Sequence, residues 1–169
     1  DTSGKLVLDY QFDDARRFAN GVAAVNVGAT PGRFKTDNPV GGLWGFIDHT
    51  GNYVIPPRFA RVLDFSPDCA AAVADTSTAD AEHVTAGLWG FIDRAGKWII
   101  PPQFASAYDP RIIGASDTDM IPVAINLKWG YVNGSGKLVV PLQYDYTFGF
   151  SEGLAYVANK DGGGGGCID

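Results

Sequence analysis

The heptad GLWGFID occupies residues 42–48 and recurs unchanged at 87–93. Looser copies follow as LKWGYVN at 127–133 and GGGGCID at 163–169, where glycine takes the place of tryptophan. Such repetition constrains a chain more than its composition does. Each copy must adopt the same local structure and bury its apolar face on its neighbours. The 169 residues therefore read as one repeat domain. Its units run approximately over 1–41 (a partial start), 42–86, 87–126 and 127–162, and 163–169 begins a further unit. The chain opens inside a unit and reads as a fragment or a processed product.

The residues after each heptad repeat as well. The blocks are DTSGKLVLDYQF from Asp1, DHTGNYVIPPRF from Asp48, DRAGKWIIPPQF from Asp93 and NGSGKLVVPLQY from Asn133. Asp48 to Gly51, Asp93 to Gly96 and Asn133 to Gly136 place Asp or Asn first and Gly fourth. That is the chemistry of a type I turn followed by a glycine at positive φ. The leading side chain can accept from backbone N–H groups of the turn. The pattern predicts a strand A (WGFID), a turn, and an apolar strand B (YVI, WII or LVV). Proline supplies no ladder donor, so Pro56-Pro57, Pro101-Pro102 and Pro141 are expected to end strand B and bend the chain away. Small residues then form a strand C in GVAAV, CAAAV and GLAYV. No helical period extends over ten residues or more. Residues 26–41, 74–86 and 109–119 are insertions of loop composition. Loops on a regular scaffold are where binding specificity varies, although their lengths are equally consistent with neutral drift.

The combination of Trp44-Gly45-Phe46-Ile47-Asp48, Gly51 and Val54-Ile55-Pro56-Pro57 resembles the WG (KWG) repeat family of bacterial proteins. Trp89 to Asp93 with Gly96 and Ile99 to Gln103 match it too, as do Trp129-Gly130-Tyr131 with Gly136 and Val139 to Tyr144. FSEGLAYV at 150–157 is similar to the closing segment of such repeats. The first block departs from the pattern by lacking the proline pair, and the last by carrying Gly165 and Cys167. The resemblance implies an all-β fold of tandem WG repeats with short antiparallel strands, a solenoid-like stack of hairpins. A propeller-like closed β-array is the alternative. It also implies an interaction or surface module, and it supplies no active site to carry over.

Charge and motifs narrow the function. A formal net charge of −6 with 13 scattered Lys and Arg argues against nucleic acid. No apolar run is long enough to span a membrane. No GxSxG, HExxH, phosphate-loop or dinucleotide fingerprint occurs, so no enzyme, cofactor or metal is expected. The candidate binding residues are Trp44, Trp89, Trp129 and Trp98, whose faces suit sugars if exposed. Against that, a Trp at the same place in each unit suits a spacer between stacked units, with Gly45, Gly90 and Gly130 making room for the neighbouring unit's backbone. Asp48 and Asp93 read as turn residues because Asn133 replaces them without charge. His49 falls in a turn. Asp80, Glu82 and His83 form a metal-like cluster without ligand spacing. Cys69 reads as a small buried hydrophobe, and two cysteines alone do not establish a disulfide with Cys167. The expectation is a non-enzymatic structural or protein-interaction repeat module, self-assembling or binding a protein partner through strand edges at a bacterial cell surface or extracellularly. The alternative is a carbohydrate- or cell-wall-binding module whose partner is a glycan.

Overall fold

A computed structural model of the chain describes residues 11–30, 40–66, 69–74, 87–107, 120–160 and 164–169. Among these, all regular structure is β: β1 (Asp14–Ala19), β2 (Val22–Thr30), β3 (Val40–Ile47), β4 (Tyr53–Val62), β5 (Ala70–Ala74), β6 (Trp89–Ile92), β7 (Trp98–Phe104), β8 (Ser106–Ala107), β9 (Ile121–Ile125), β10 (Lys128–Val132), β11 (Leu138–Tyr144), β12 (Tyr146–Thr147), β13 (Ala155–Asn159) and β14 (Gly164–Ile168). Neighbours in sequence pair antiparallel in three open sheets, β1 to β7, β8 to β11 and β12 to β14. No strand order closes on itself among the described residues, so the sheets do not close into a barrel.

The breaks between sheets fall at Ala105 and Asp145. There β7 and β8, or β11 and β12, are the two halves of a strand that β4 makes in one piece. The first half of β4 pairs with strand A, from Ile47↔Tyr53 to Trp44↔Phe59. Its second half pairs with strand C, from Phe59↔Ala74 to Val62↔Ala72. Strand C then pairs with strand A of the next unit.

The prolines do not end strand B, contrary to the expectation from sequence. β4, β7 and β11 run straight through them. The register explains how. A step of two along β3, from Trp44 to Phe46, matches a step of four along β4, from Phe59 to Ile55. The same jump separates Trp89↔Phe104 from Phe91↔Ile100, and Trp129↔Tyr144 from Tyr131↔Val140. The surplus residues form a bulge that holds the prolines, and a bulged residue is not asked for a ladder N–H. The glycine of each Trp-Gly pair lies beneath this bulge. A Cβ on Gly45 would fall 2.5 Å from the Ile55 carbonyl oxygen and 2.7 Å from the Pro57 nitrogen. On Gly90 it would fall 2.6 Å from the Ile100 oxygen and 2.8 Å from the Pro102 nitrogen, and on Gly130 it would meet the Val140 oxygen and Pro141. The backbone that needs this room belongs to the glycine's own unit. That corrects the expectation of a neighbouring unit's backbone.

Apolar side chains form a row of cores separated by walls of paired C and A strands. Ala70, Ala72 and Ile92 of the β5/β6 wall face the core holding Val22, Phe46, Ile55, Phe59 and Phe65. Cys69, Ala71, Val73, Trp89 and Phe91 of the same wall face the core holding Phe104, Ile121, Val123 and Val132. Further cores form around Tyr131, Phe150, Ala155 and Val157, and around Ala23, Val25 and Ile47. Strand C is thus buried on both faces, which accounts for its alanines. Ala72 is 0% exposed. An Ala72→Leu variant is expected to lose about 1–3 kcal/mol by overpacking, measured by urea denaturation.

Polar contacts tie successive units together. Two turn glycines pack on the preceding strand B: Gly96 lies against Ile55 and Arg58, and Gly136 against Ile99 and Ile100. The Arg58 guanidinium donates to the Gly96 carbonyl. The residue after each turn Asp covers an aromatic of the preceding unit. His49 stacks on Phe18 at 4.1 Å between centroids. Arg94 lies 5.3 Å from the Phe65 ring centroid and donates to the Asn20 carbonyl at 2.8 Å. Arg16 and Arg17 of β1 reach Asp64 at 3.7 and 3.5 Å. Part of the first insertion is also ordered strand. Ala29↔Gly41 and Thr30↔Val40 extend the β2/β3 hairpin beyond the Trp44 position, because Val27, Ala29 and Val40 continue the apolar run. The remaining insertion residues, 31–39, 75–86 and 109–119, lie outside the described set.

Candidate functional site

The repeated acidic positions are turn residues in the structure. Asp48 Oδ1 accepts from the backbone N–H of Thr50 (2.8 Å) and Asn52 (3.1 Å) and from the Thr50 hydroxyl (2.6 Å). Asp93 Oδ1 accepts from the N–H of Ala95 and Lys97, both at 2.9 Å. Asn133 Oδ1 accepts from the Lys137 N–H at 2.9 Å and the Ser135 hydroxyl at 2.8 Å. Gly51, Gly96 and Gly136 follow at φ of 86°, 78° and 81°, a region that glycine enters without steric cost. An amide oxygen does the same work as a carboxylate here.

The Thr50 hydroxyl bond, with further bonds from the backbone, holds the Asp48 carboxyl below its ordinary range. A carboxyl depressed by folding contributes stability above its unfolded pKa and loses that contribution as pH falls through the folded value. Thermal melts of the wild-type chain should therefore weaken below the ordinary carboxylate range. Asp48→Asn, which mimics Asn133, should remove part of that acid limb while leaving the neutral-pH melting temperature nearly unchanged.

The tryptophans are built into the cores to different degrees. Trp89 is 8% exposed. Trp44, Trp98 and Trp129 are half-buried. Arginines approach two of the rings: Arg16 Cζ lies 5.5 Å from the Trp44 centroid and Arg61 Cζ 4.9 Å from that of Trp89. Trp98, at the start of strand B, meets Phe59 edge-on at 5.6 Å. Nothing in the bare sequence pairs Arg16 with Trp44 or Arg61 with Trp89, since the partners lie on different strands. Arg61 stands opposite Val73, which in turn stands opposite Trp89.

The remaining candidates are scattered. His49 is in its turn, stacked on Phe18. Asp80, Glu82 and His83 lie outside the described residues, and among those described no group of three or more His, Cys, Asp or Glu could hold a metal ion. Cys69 is fully buried and Cys167 is exposed, and neither forms a disulfide. Tyr131 is buried beneath Phe150, and its hydroxyl donates to the Phe148 carbonyl at 2.6 Å. Burial, and then Tyr144, push its phenol well above the ordinary range. No helix among the described residues is long and apolar enough to cross a membrane.

What the structure brings together is a joint, used three times. A Trp-Gly pair on strand A receives a proline-bearing bulge on strand B, and an Asp/Asn-to-Gly turn connects the two. A chain built from such joints is an all-β tandem-repeat protein of open, meandering antiparallel sheets. The model of the WG containing repeat matches residues 1–29, 44–74, 89–111 and 129–162, and with most of its length matched the chain belongs to that family. No curated protein and no solved structure matches it.

Proposed function

We propose that the chain is a non-enzymatic repeat module that binds protein partners through its strand edges and end faces, in the setting of a bacterial surface. The observation that carries this reading is how the repeat spends its polar and aromatic residues. Asp48, Asp93 and Asn133 cap turns, the tryptophans pack on the cores, and Arg16 and Arg61 lie over two of them. These recurring groups are thus engaged in turns and against cores, whereas a substrate site needs polar groups aimed at a bound molecule. Among the groups left to solvent are apolar side chains along the array, such as Tyr53, Ile99 and Leu138, and in the last described sheet Tyr146 and Tyr156.

The test is a pair of titrations on the intact chain. Soluble cell-wall oligosaccharides should leave the tryptophan emission unchanged, and a broad hydrolase panel should give no turnover. A saccharide-dependent shift lost in Trp44→Ala or Trp129→Ala would replace this reading with glycan binding, and turnover would replace it with catalysis.

A further inference from the structure

A sheet face that looks outward is expected to be polar, and strand B departs from this three times. Around β7 the residues alternate in burial. Lys97, Ile99, Pro101 and Gln103 are exposed, whereas Trp98, Ile100 and Pro102 are half-buried and Phe104 is buried. β4 repeats the outward row as Asn52, Val54, Pro56 and Arg58, and β11 as Lys137, Val139, Pro141 and Gln143. The aliphatic residue of the row is 41%, 40% and 41% exposed in the three units. Tyr53 and Leu138 add exposed apolar surface at the start of β4 and β11. A threonine at the aliphatic position would also suit the strand, because its β-branch fits a pleated surface. The chain instead turns a Val or Ile and a Pro outward in each unit.

The rows follow one another from unit to unit. Arg58 ends the β4 row, and its guanidinium donates to the carbonyl of Gly96, the residue before Lys97. Ile99 of the β7 row lies against Gly136, the residue before Lys137. Charge also sets this face apart. The chain carries a net charge of −6, yet residues 52–59, 97–104 and 137–144 contain no Asp or Glu and include Arg58, Lys97 and Lys137. Neither lysine is ion-paired among the described residues. The acidic residues that precede two of the rows, Asp48 and Asp93, each turn a carboxylate oxygen to backbone N–H groups of their own turn. A recurring apolar row flanked by cations, on a chain that is acidic elsewhere, has the makeup of a contact surface.

We propose that the outward rows of β4, β7 and β11 form one docking surface for an extended, acidic polypeptide segment of a partner protein, with apolar side chains between its carboxylates. The carboxylates meet Arg58, Lys97 and Lys137, and the apolar side chains cover Val54, Ile99 and Val139. A polyanionic glycan would satisfy the cations but leave the aliphatic residues in water, so the apolar half of the row favours a polypeptide. Repetition supplies affinity. Each row alone is a weak site, and a segment that spans two rows meets the second at a raised effective concentration. The inference rests on reading the chain as an interaction module and places the contact on a sheet face instead of a strand edge.

The experiment uses the 169-residue chain and a labelled peptide built from four EVEP repeats, whose prolines keep it out of a helix. Fluorescence anisotropy should show saturable binding that weakens as salt is raised, and a KVKP peptide should not bind. Lys97→Glu combined with Lys137→Glu should weaken binding by about tenfold or more. Val54→Thr, Ile99→Thr and Val139→Thr together should weaken it by about fivefold or more and leave its salt dependence in place. Circular dichroism and a cooperative melt show that both variants fold, since the changed side chains face outward. No saturable binding by the wild type, or equal binding by the wild type and either folded variant, overturns the proposal. Those results leave the interaction-module reading standing if the saccharide and hydrolase tests are negative. An anionic polysaccharide, polygalacturonate, that binds as tightly as the peptide and competes with it overturns the proposal and removes that reading as well.

Discussion

Gly90→Ala is expected to destabilise the chain by roughly 3 kcal/mol, although the change adds a single methyl group. Two effects oppose each other. Alanine reduces the freedom of the unfolded chain, which favours folding by roughly 0.4–1 kcal/mol where the native backbone tolerates it. Against this, the new Cβ would lie 2.6 Å from the Ile100 carbonyl oxygen, 2.8 Å from the Pro102 nitrogen and 2.8 Å from Trp98 Cζ3. Two of these neighbours are backbone, and they are held in register by Trp89↔Phe104 and Phe91↔Ile100 on either side. The methyl can be accommodated only by opening the bulge, so the clash wins. For a chain of this length the loss corresponds to a fall in melting temperature of roughly 6–12 °C. Thermal and urea denaturation of the purified variant measure it. A melting temperature at or above wild type would show that the bulge yields.

Phe91→Ala is expected to cost more, roughly 3–5 kcal/mol. Phe91 is fully buried and meets Phe104 edge-on at 5.9 Å. It projects from the β5/β6 wall into the core that Ile121 and Val123 of its own unit and Val132 of the following unit close. Removing its ring leaves a cavity between two units, and the alanines beside it carry no side chain long enough to fill the space. Loss of the cooperative urea transition, or a midpoint shift of that size, is the expected readout. A shift below about 1 kcal/mol would mean that the core collapses around the gap.

The turns and the order of strands were legible in the sequence because their causes are local. An Asp or Asn followed three residues later by Gly states its own turn, and Asp48, Asp93 and Asn133 make the predicted bonds. Strand C was legible as a run of small residues, although only the structure shows why they are small: Ala70 to Ala72 are packed on both faces. The proline pair was misread for a physical reason. Proline is a poor ladder residue, which suggests an ending, and a two-residue register jump is a property of two strands together. Read with that knowledge, WG and PP are one motif in two pieces, since Gly45 and Pro57 meet across the hairpin. The arginines over Trp44 and Trp89 were illegible because each reaches across an intervening strand C, and no local motif states the register of those pairings. The last copy, which lacks its tryptophan, also becomes intelligible: Tyr156 lies over Gly165.

The central claim is that the Trp-Gly glycine is a structural joint, required where a proline bulge covers it. The most direct measurement is urea denaturation of Gly90→Ala and Gly166→Ala under one set of conditions. Gly166 has the place in GGGGCID that Gly90 has in the second heptad, and a Cβ there would meet nothing within 4 Å. The account predicts a loss of roughly 3 kcal/mol at Gly90 and a change within about 0.5 kcal/mol at Gly166. Equal effects at the two positions would contradict it.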